Sequence, residues 1–286
     1  MPRSDRRNAS RYWSDRGLAG LSLLHADFST HEYAPHSHDG LVIAMTEHGG
    51  AIIRSGIQTF EARPALLFVS NPAVAQAAWM GRSRRWMYRS LYLAEPALSE
   101  VRRQVGMVHQ PHFVRSAIDD AELRKDFLSL HRALSDARDE FRDLELLIST
   151  FGRLFVRHGA GQGRVETVPT DRRHLHQVLE LMHQEFRDSI RLMDLAKTAG
   201  LTVFQLIGLF RHATGLTPHS YLVQLRLNAA RQQLKQGVSL AEAATASGFY
   251  DQSALTRHFK RSYGITPGQF AAAIRSGPIL ARGACD

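Results

Sequence analysis

Cysteine is almost missing from this chain: Cys285 is the single one in 286 residues. No disulfide can form within the chain, which suits a reducing compartment. Long apolar runs are missing as well. No stretch reaches the roughly 18 apolar residues of a bilayer-spanning helix. The basic start, Met1-Pro2-Arg3-Ser4-Asp5-Arg6-Arg7, is not followed by the apolar core of a secretory signal. Low-complexity tracts do not occur. A disulfide-stapled secreted domain and a helical membrane protein are thereby excluded, and no membrane partner and a cytoplasmic location are expected. What is present is a 44% hydrophobic composition, enough for buried cores, in a length that suits two ordinary domains. Negative charge is in deficit: 27 Asp and Glu face 36 Lys and Arg, a net charge of +9. From residue 170 onward 14 Lys and Arg face 8 Asp and Glu, whereas the longer stretch before it holds 22 against 19. A basic excess in one region is the footprint of a phosphate-binding surface. Alone, it fits a merely soluble basic domain better.

The basic region contains two helix-turn-helix patterns in tandem. The first runs from Ile190 through Leu195, Ala196, Gly200 and Thr202 to Leu206, Leu209 and Phe210. The second runs from Ser239 through Ala243, Ala244, Gly248 and Asp251 to Leu255, Phe259 and Lys260. In each, a short apolar-periodic helix stops at a glycine, which reaches positive φ without a Cβ clash. A side chain that can accept from orphan N–H groups, Thr202 or Asp251, then opens the next helix. One such pattern is weak evidence, since any helical hairpin can show it. Here each copy closes with the same signature, Gly215-Leu216-Thr217-Pro218 and Gly264-Ile265-Thr266-Pro267, a helix stop followed by a cap and a first-turn proline. Between them, residues 218–236 read as one continuous helix.

Residues 190–270 thus resemble the DNA-binding domain of the AraC family of transcription regulators. The resemblance rests on Leu195-Ala196, Gly200-Leu201, Leu209-Phe210, Thr217-Pro218, Tyr221-Leu222, Arg226-Leu227, Gly248-Phe249, Phe259-Lys260 and Thr266-Pro267, with the positions quoted above. It implies base contacts from Phe204, Gln205, Ile207 and Gly208 in the first recognition helix. In the second it implies Gln252, Ser253, Ala254 and Arg257. Arg211, Arg226, Lys260 and Arg261 are the expected phosphate partners. Gly208 stands where the family usually has a basic residue, and Val203, Phe204 and Ile207 make the exposed face of the first helix apolar. That face suits thymine methyls or a protein surface. Arg257 can grip guanine O6 and N7 with both arms, so specificity is expected mainly from the second module.

Upstream, the texture changes. Residues 21–28, 41–45, 51–54, 57–62, 65–69 and 86–93 are short β-rich runs separated by turn signals, the pattern of a small antiparallel barrel or jelly roll. Two amphipathic helices, 121–134 and 141–156, follow and are expected to form a hairpin. The second carries apolar residues at 141, 144, 147, 148, 151, 154 and 155, a stripe broad enough to cover its own barrel and to meet a second copy. Three glycines between Gly159 and Gly163 then mark a linker. Pro35-His36-Ser37-His38-Asp39-Gly40 and the turns after it resemble the cupin-like effector-binding domain of the same family. The expected fold is α+β in two domains. Residues 1–158 form a cupin-like antiparallel β-barrel with a helical hairpin, 159–169 the linker, 170–276 an all-α domain with two helix-turn-helix modules, and 277–286 a tail.

His36 and His38 are the most enzyme-like feature, because His-x-His on a strand places two imidazoles on one face. Metal-binding cupins add a Glu four or five residues on and a third His in a second motif. Those places hold Val42 or Ile43 and Gln76 here, and open metal sites usually need three protein ligands. Glu47 and His48 have an unusual spacing for the task. No metal and no cofactor are therefore expected, and the histidines read as pocket or structural residues. Trp86, Tyr88, Ser90 and Tyr92 share one strand face, which either lines a pocket or packs under the hairpin. Arg84-Arg85 and Arg102-Arg103 read as solvated pairs, with anion binding the minor alternative. The expected function is a ligand-responsive, sequence-specific DNA-binding transcription regulator, not an enzyme. Its partners are double-stranded DNA, a small-molecule effector and a second copy of the chain. The effector is expected at His36, His38, Met45, Gln76, Trp86 and Tyr88. The alternatives are a cupin-type metal enzyme fused to a DNA-binding module and a barrel that only dimerises.

Overall fold

Between residues 9 and 118 the chain pairs short extended runs into two antiparallel sheets. The strands are β1 (Ala9–Ser14), β2 (Leu21–Phe28), β3 (Glu32–His36), β4 (Leu41–Gly49), β5 (Ala51–Ser55), β6 (Gln58–Ala62), β7 (Leu67–Ser70), β8 (Gln76–Trp79), β9 (Trp86–Leu93) and β10 (Ala117–Ile118). One sheet has the order β1-β2-β9-β4-β7-β10 and the other β3-β8-β5-β6. Among the described residues these sheets do not close by hydrogen bonding into one barrel, so the jelly-roll form of the expected domain is the one observed. The computed structural model describes residues 8–15, 17–64, 66–136, 139–160 and 172–275. The chain divides into two compact units, Met1–Val168 with Thr202–Ile207, and Pro169–Leu201 with Gly208–Asp286. From residue 161 on the expected linker lies outside the described residues, as does the whole tail 277–286.

Register decides which side chains meet inside the first unit. β9 pairs with β2 from Leu21↔Leu93 to Phe28↔Trp86, and with β4 on its other side. The two-residue period then turns Trp86, Tyr88, Ser90 and Tyr92 to one face. Arg89 and Leu91 point to the other. Ala26, Phe28, Val42, Ile53, Phe68, Trp86 and Tyr88 belong to one buried cluster.

Three helices complete this unit: α1 (Glu95–Val105), α2 (Ala121–Ala133) and α3 (Glu140–His158). Asp120 caps α2 by accepting from the backbone N–H of Glu122 and Leu123, and Asp139 caps α3 by accepting from Arg142. The start of α2 lies beside the end of α3. Arg153 reaches Glu122 at 2.8 Å and Asp126 at 3.1 Å, and Arg157 reaches Asp120 at 3.1 Å. The two helices are therefore an antiparallel hairpin. Most of the apolar stripe of α3 is buried within the chain, at Phe141, Leu147, Ile148, Phe151, Leu154 and Phe155, while Leu144 is half-buried. A dimer through the hairpin would have to use the remainder, such as Val156, which is 50% exposed.

The remaining helices are α4 (Arg172–Glu185), α5 (Leu192–Thr198), α6 (Val203–Thr214), α7 (Pro218–Lys235), α8 (Leu240–Ala246), α9 (Gln252–Tyr263) and α10 (Pro267–Arg275). α5 with α6, and α8 with α9, are the two helix-turn-helix pairs. Gly200 and Gly248 stand at the turns with φ of +64° and +84°, the left-handed region open to glycine. Thr217 caps α7 by accepting from the Ser220 N–H, with Pro218 in the first turn. Leu227, Ala230 and Leu234 of α7 pack with Ala243, Ala244, Phe249, Leu255 and Phe259 as the core of the second module. Among the described residues no single helix is long and apolar enough to cross a membrane.

Candidate functional site

The first unit holds a half-open cavity of about 150 Å³. All six residues expected to meet an effector line it: His36 from β3, Met45 from β4, Gln76 from β8, Trp86 and Tyr88 from β9, and His38 from the turn after β3. Ser90 and Tyr92 line it too, so the aromatic face of β9 turns to the cavity and not to the hairpin. The sequence reading missed Tyr33, Phe60 and Phe68 among the lining residues. Tyr33 stands three residues before His36 on a strand that also carries Pro35, and that proline hid the strand.

The aromatic groups form a connected wall. Trp86 and Tyr88 stack with ring centroids 4.4 Å apart, and Tyr33 meets Trp86 edge-on at 6.1 Å. The Tyr33 and Tyr88 hydroxyls hydrogen-bond each other at 2.5 Å. Burial pushes both phenols above their ordinary value and carries Tyr92 up to about 12, so all three stay neutral. The Trp86 indole N–H donates to the Thr46 hydroxyl at 3.2 Å.

The polar groups gather around His36. Its Nδ1 lies 2.8 Å from the Ala34 carbonyl, which can only accept, so Nδ1 carries the proton. The Gln76 side-chain nitrogen lies 3.4 Å from His36 Nε2. The His38 ring lies 4.9 Å from that of His36 and 5.1 Å from Tyr92. Burial, then the neighbouring His36, lowers the His38 pKa below the ordinary histidine value.

Among the described residues no group of three His, Cys, Asp or Glu is placed to hold a metal ion. Val42, where a metal cupin has its carboxylate, lines the cavity, and Gln76 stands at the place of the third histidine. Glu47 is engaged elsewhere. It accepts from Arg89 Nε at 2.8 Å, and His25 lies 3.4 Å away. Arg89 also donates to His131 Nδ1 of α2 at 3.2 Å, while His131 Nε2 donates to the Leu24 carbonyl at 3.1 Å. Burial, then the charge of Arg89, lowers His131 to about 4, which agrees with a neutral ring that accepts on one nitrogen and donates on the other. Three members of the basic pairs of this unit have local partners: Arg85 with Asp27 at 2.7 Å, Arg102 with Glu95 at 3.5 Å and Arg103 with Glu100 at 2.6 Å.

The two recognition helices present different surfaces. On α9, Gln252, Ser253 and Arg257 are exposed and Ala254 half-buried, opposite the buried Leu255 and Phe259. Asp251 caps this helix by accepting from Ala254 N–H at 2.6 Å. Lys260 and Arg261 continue the exposed basic surface, and Arg211 at the end of α6 is exposed as well. Tyr250, unassigned by the sequence reading, is 93% exposed next to the cap. On α6, Ile207 is 1% exposed, and Phe204 and Gly208 are half-buried. Gln205 is 5% exposed and occupied. Its carbonyl accepts from Thr202 N–H at 2.9 Å, and its own N–H donates to Thr202 Oγ1 at 3.2 Å. That is a reciprocal capping box. Arg226 is also occupied, donating from Nε to the Phe186 carbonyl at 2.7 Å and from Nη2 to the Asp188 carbonyl at 2.9 Å.

A sheet domain with an apolar-lined cavity, followed by two helix-turn-helix pairs, is the design of a ligand-responsive transcription regulator. The family comparisons assign it. Residues 18–151 match the AraC-like ligand binding domain, and residues 195–273 match a helix-turn-helix domain. The chain belongs to the AraC family of transcription regulators, whose partner is double-stranded DNA. It is similar to an uncharacterized HTH-type transcriptional regulator, YbfI, of Bacillus subtilis, at 28% identity over 78% of this chain and 81% of that protein. It is also similar to the virulence regulon transcriptional activator VirF of Yersinia enterocolitica, at 24% identity over 88% of this chain and 96% of that one. A solved transcriptional regulator with an AraC-type DNA-binding domain, from Chromobacterium violaceum, is 30% identical over 37% of this chain and 96% of its own, with a TM-score of 0.35. With some other relatives the chain aligns over under half of their length.

Proposed function

We propose that the cavity between the sheets is the effector site, that it binds a small molecule without a metal, and that α9 supplies the principal base readout in a chain acting in the cytoplasm without enzymatic turnover. One observation carries this reading. Six side chains singled out from sequence on four separate segments line one pocket, in the domain that matches a ligand-binding family model. Such a space, mostly apolar with a few converging polar groups, is the usual form of a small-molecule site. On α9 the support is exposure: Gln252, Ser253 and Arg257 are presented on a helix capped and buried on its other side. Arg257 is the side chain suited to guanine, while Lys260, Arg211 and Arg261 suit phosphates. Occupancy of the cavity alters transcription only if it favours one state of the protein over another.

The test is a small-molecule thermal-shift screen of the full chain after chelator treatment. A ligand that raises the transition temperature of the wild type, leaves Ala78→Leu unmoved and changes operator binding supports the reading. Stoichiometric zinc, iron or manganese, with ligand binding or turnover lost on chelation, overturns it in favour of the metal enzyme.

A further inference from the structure

The second helix-turn-helix turn carries one residue more than the first. In the first module the capping side chain, Thr202, comes two residues after the turn glycine Gly200. In the second the cap, Asp251, comes three residues after Gly248. An apolar residue, Leu201 or Phe249, follows the glycine in both. The additional residue is Tyr250. It is 93% exposed, and its side chain has no hydrogen bond or ring partner among the described residues. A helix-turn-helix sets its first helix across the DNA backbone and the start of its second in the major groove. The turn between them therefore crosses the rim of the groove, where the phosphates stand. Tyr250, directly before the cap of α9, is placed at that rim.

A cation stands at the same turn. Arg226 donates from Nε to the Phe186 carbonyl at 2.7 Å and from Nη2 to the Asp188 carbonyl at 2.9 Å, which fixes the loop after α4. Arg187, between those two residues, runs close against the turn. A Cβ on Gly248 would lie 2.8 Å from the Arg187 carbonyl oxygen and 2.9 Å from its Cα. The Arg187 side chain is exposed, with its guanidinium 5.0 Å from the centroid of the Phe186 ring. It pairs with no carboxylate among the described residues, the adjacent Asp188 included, whereas Arg191 is paired with Asp194 at 2.8 Å. An unpaired arginine on a fixed loop is a preplaced phosphate ligand. Little backbone freedom is lost when it binds, and its N–H groups make charge-assisted bonds to phosphate oxygen.

We propose that Arg187 and Tyr250 bind DNA phosphates at the rim of the groove that α9 enters, the arginine as a cation and the tyrosine as an O–H donor. The loop after α4 is thereby part of the DNA-binding surface, although it belongs to neither helix-turn-helix pair. This rests on α9 being the recognition helix of the second module.

Fluorescence anisotropy of the full chain tests it on two labelled duplexes, the site that the wild type selects from random DNA and a scrambled version of that site. Affinities are taken between about 50 and 200 mM salt. Arg187→Gln is expected to flatten the slope of log affinity against log salt by about 0.9, the share of one phosphate, and to weaken both duplexes alike. Tyr250→Phe is expected to bind both duplexes about tenfold more weakly with its slope kept, since a neutral hydroxyl displaces no counterion. Tyr250→Ala is expected to match Tyr250→Phe. Should Arg187→Gln not fold, Arg187→Met, which keeps the stem beside Phe186, takes its place. A full wild-type slope in the arginine variant overturns the Arg187 contact. Wild-type affinity in Tyr250→Phe overturns the Tyr250 contact. A loss confined to the selected duplex, in either variant, overturns phosphate binding in favour of base readout. Arg257→Ala on the same duplexes judges α9 separately. If it weakens only the selected duplex while the other variants bind as the wild type, the phosphate contacts alone fail. If all of them bind as the wild type, the reading of α9 fails as well.

Discussion

The two helix-turn-helix modules share a sequence skeleton and differ in what surrounds it. In the first, the turn glycine Gly200 has open space where a Cβ would be. In the second, a Cβ on Gly248 would lie 2.8 Å from the Arg187 carbonyl and 2.9 Å from Arg226 Nε. Arg226 in turn holds the carbonyls of Phe186 and Asp188. The second turn is thus fastened to the segment after α4, and its recognition helix offers Gln252, Ser253 and Arg257 to solvent. On the first recognition helix Gln205 is held by Thr202, and Gly208 has no side chain to offer. One duplicated pattern thus carries an exposed polar face on one recognition helix and a glutamine engaged in capping on the other.

The largest expected effect distinguishes the turns. Gly200→Ala has only the left-handed backbone to overcome, about 1–2 kcal/mol. Gly248→Ala adds a clash with backbone to that strain and is expected to cost roughly 2–5 kcal/mol. Urea unfolding of the two variants checks this, and equal losses would remove the distinction between the turns. Next, Arg226→Met is expected to destabilise the second unit by about 1–3 kcal/mol, because two carbonyls lose a charged donor. The salt dependence of DNA binding should keep its slope. A slope reduced by about one would show Arg226 on a phosphate instead.

The smallest effects concern the caps. Thr202→Ala and Asp251→Ala should each cost about 1 kcal/mol in thermal or urea unfolding. Gln205→Ala should add to the loss only at the first module, where the cap is reciprocal. If Gln205→Ala leaves stability unchanged but alters base preference, its role is readout.

How much of this was legible in the sequence follows from where the physical signal sits. β2 and β9 were read with their observed bounds, since apolar and aromatic residues alternate along them between turn signals. β1, β3 and β8 were missed. β1 is nearly all exposed, β3 contains Pro35, and β8 is Gln-Ala-Ala-Trp, so none carries an apolar alternation. α1 had readable ends, Pro96 in its first turn and Gly106 after its last, but stood outside any family pattern. The cavity residues could be collected from sequence because they alternate along strands. Their convergence depends on the cross-strand register, which no local pattern encodes. The occupations of Gln205 and Arg226 were hidden for a similar reason. A glutamine three residues after a threonine was a readable capping box, whereas the carbonyls that hold Arg226 are contributed by a segment 38 to 40 residues away.

The central claim is that this regulator chooses its DNA site chiefly through the second module. Selection of binding sites from random duplex DNA, run in parallel on the wild type, Arg257→Ala and Ile207→Ala, tests it most directly. The account predicts a motif in the wild type with one strongly preferred guanine. In Arg257→Ala that preference relaxes, at a cost of about 1–3 kcal/mol confined to one position. In Ile207→Ala the motif is unchanged. Uniform weakening over all sequences in Arg257→Ala, or a motif rewritten by Ile207→Ala, would contradict it.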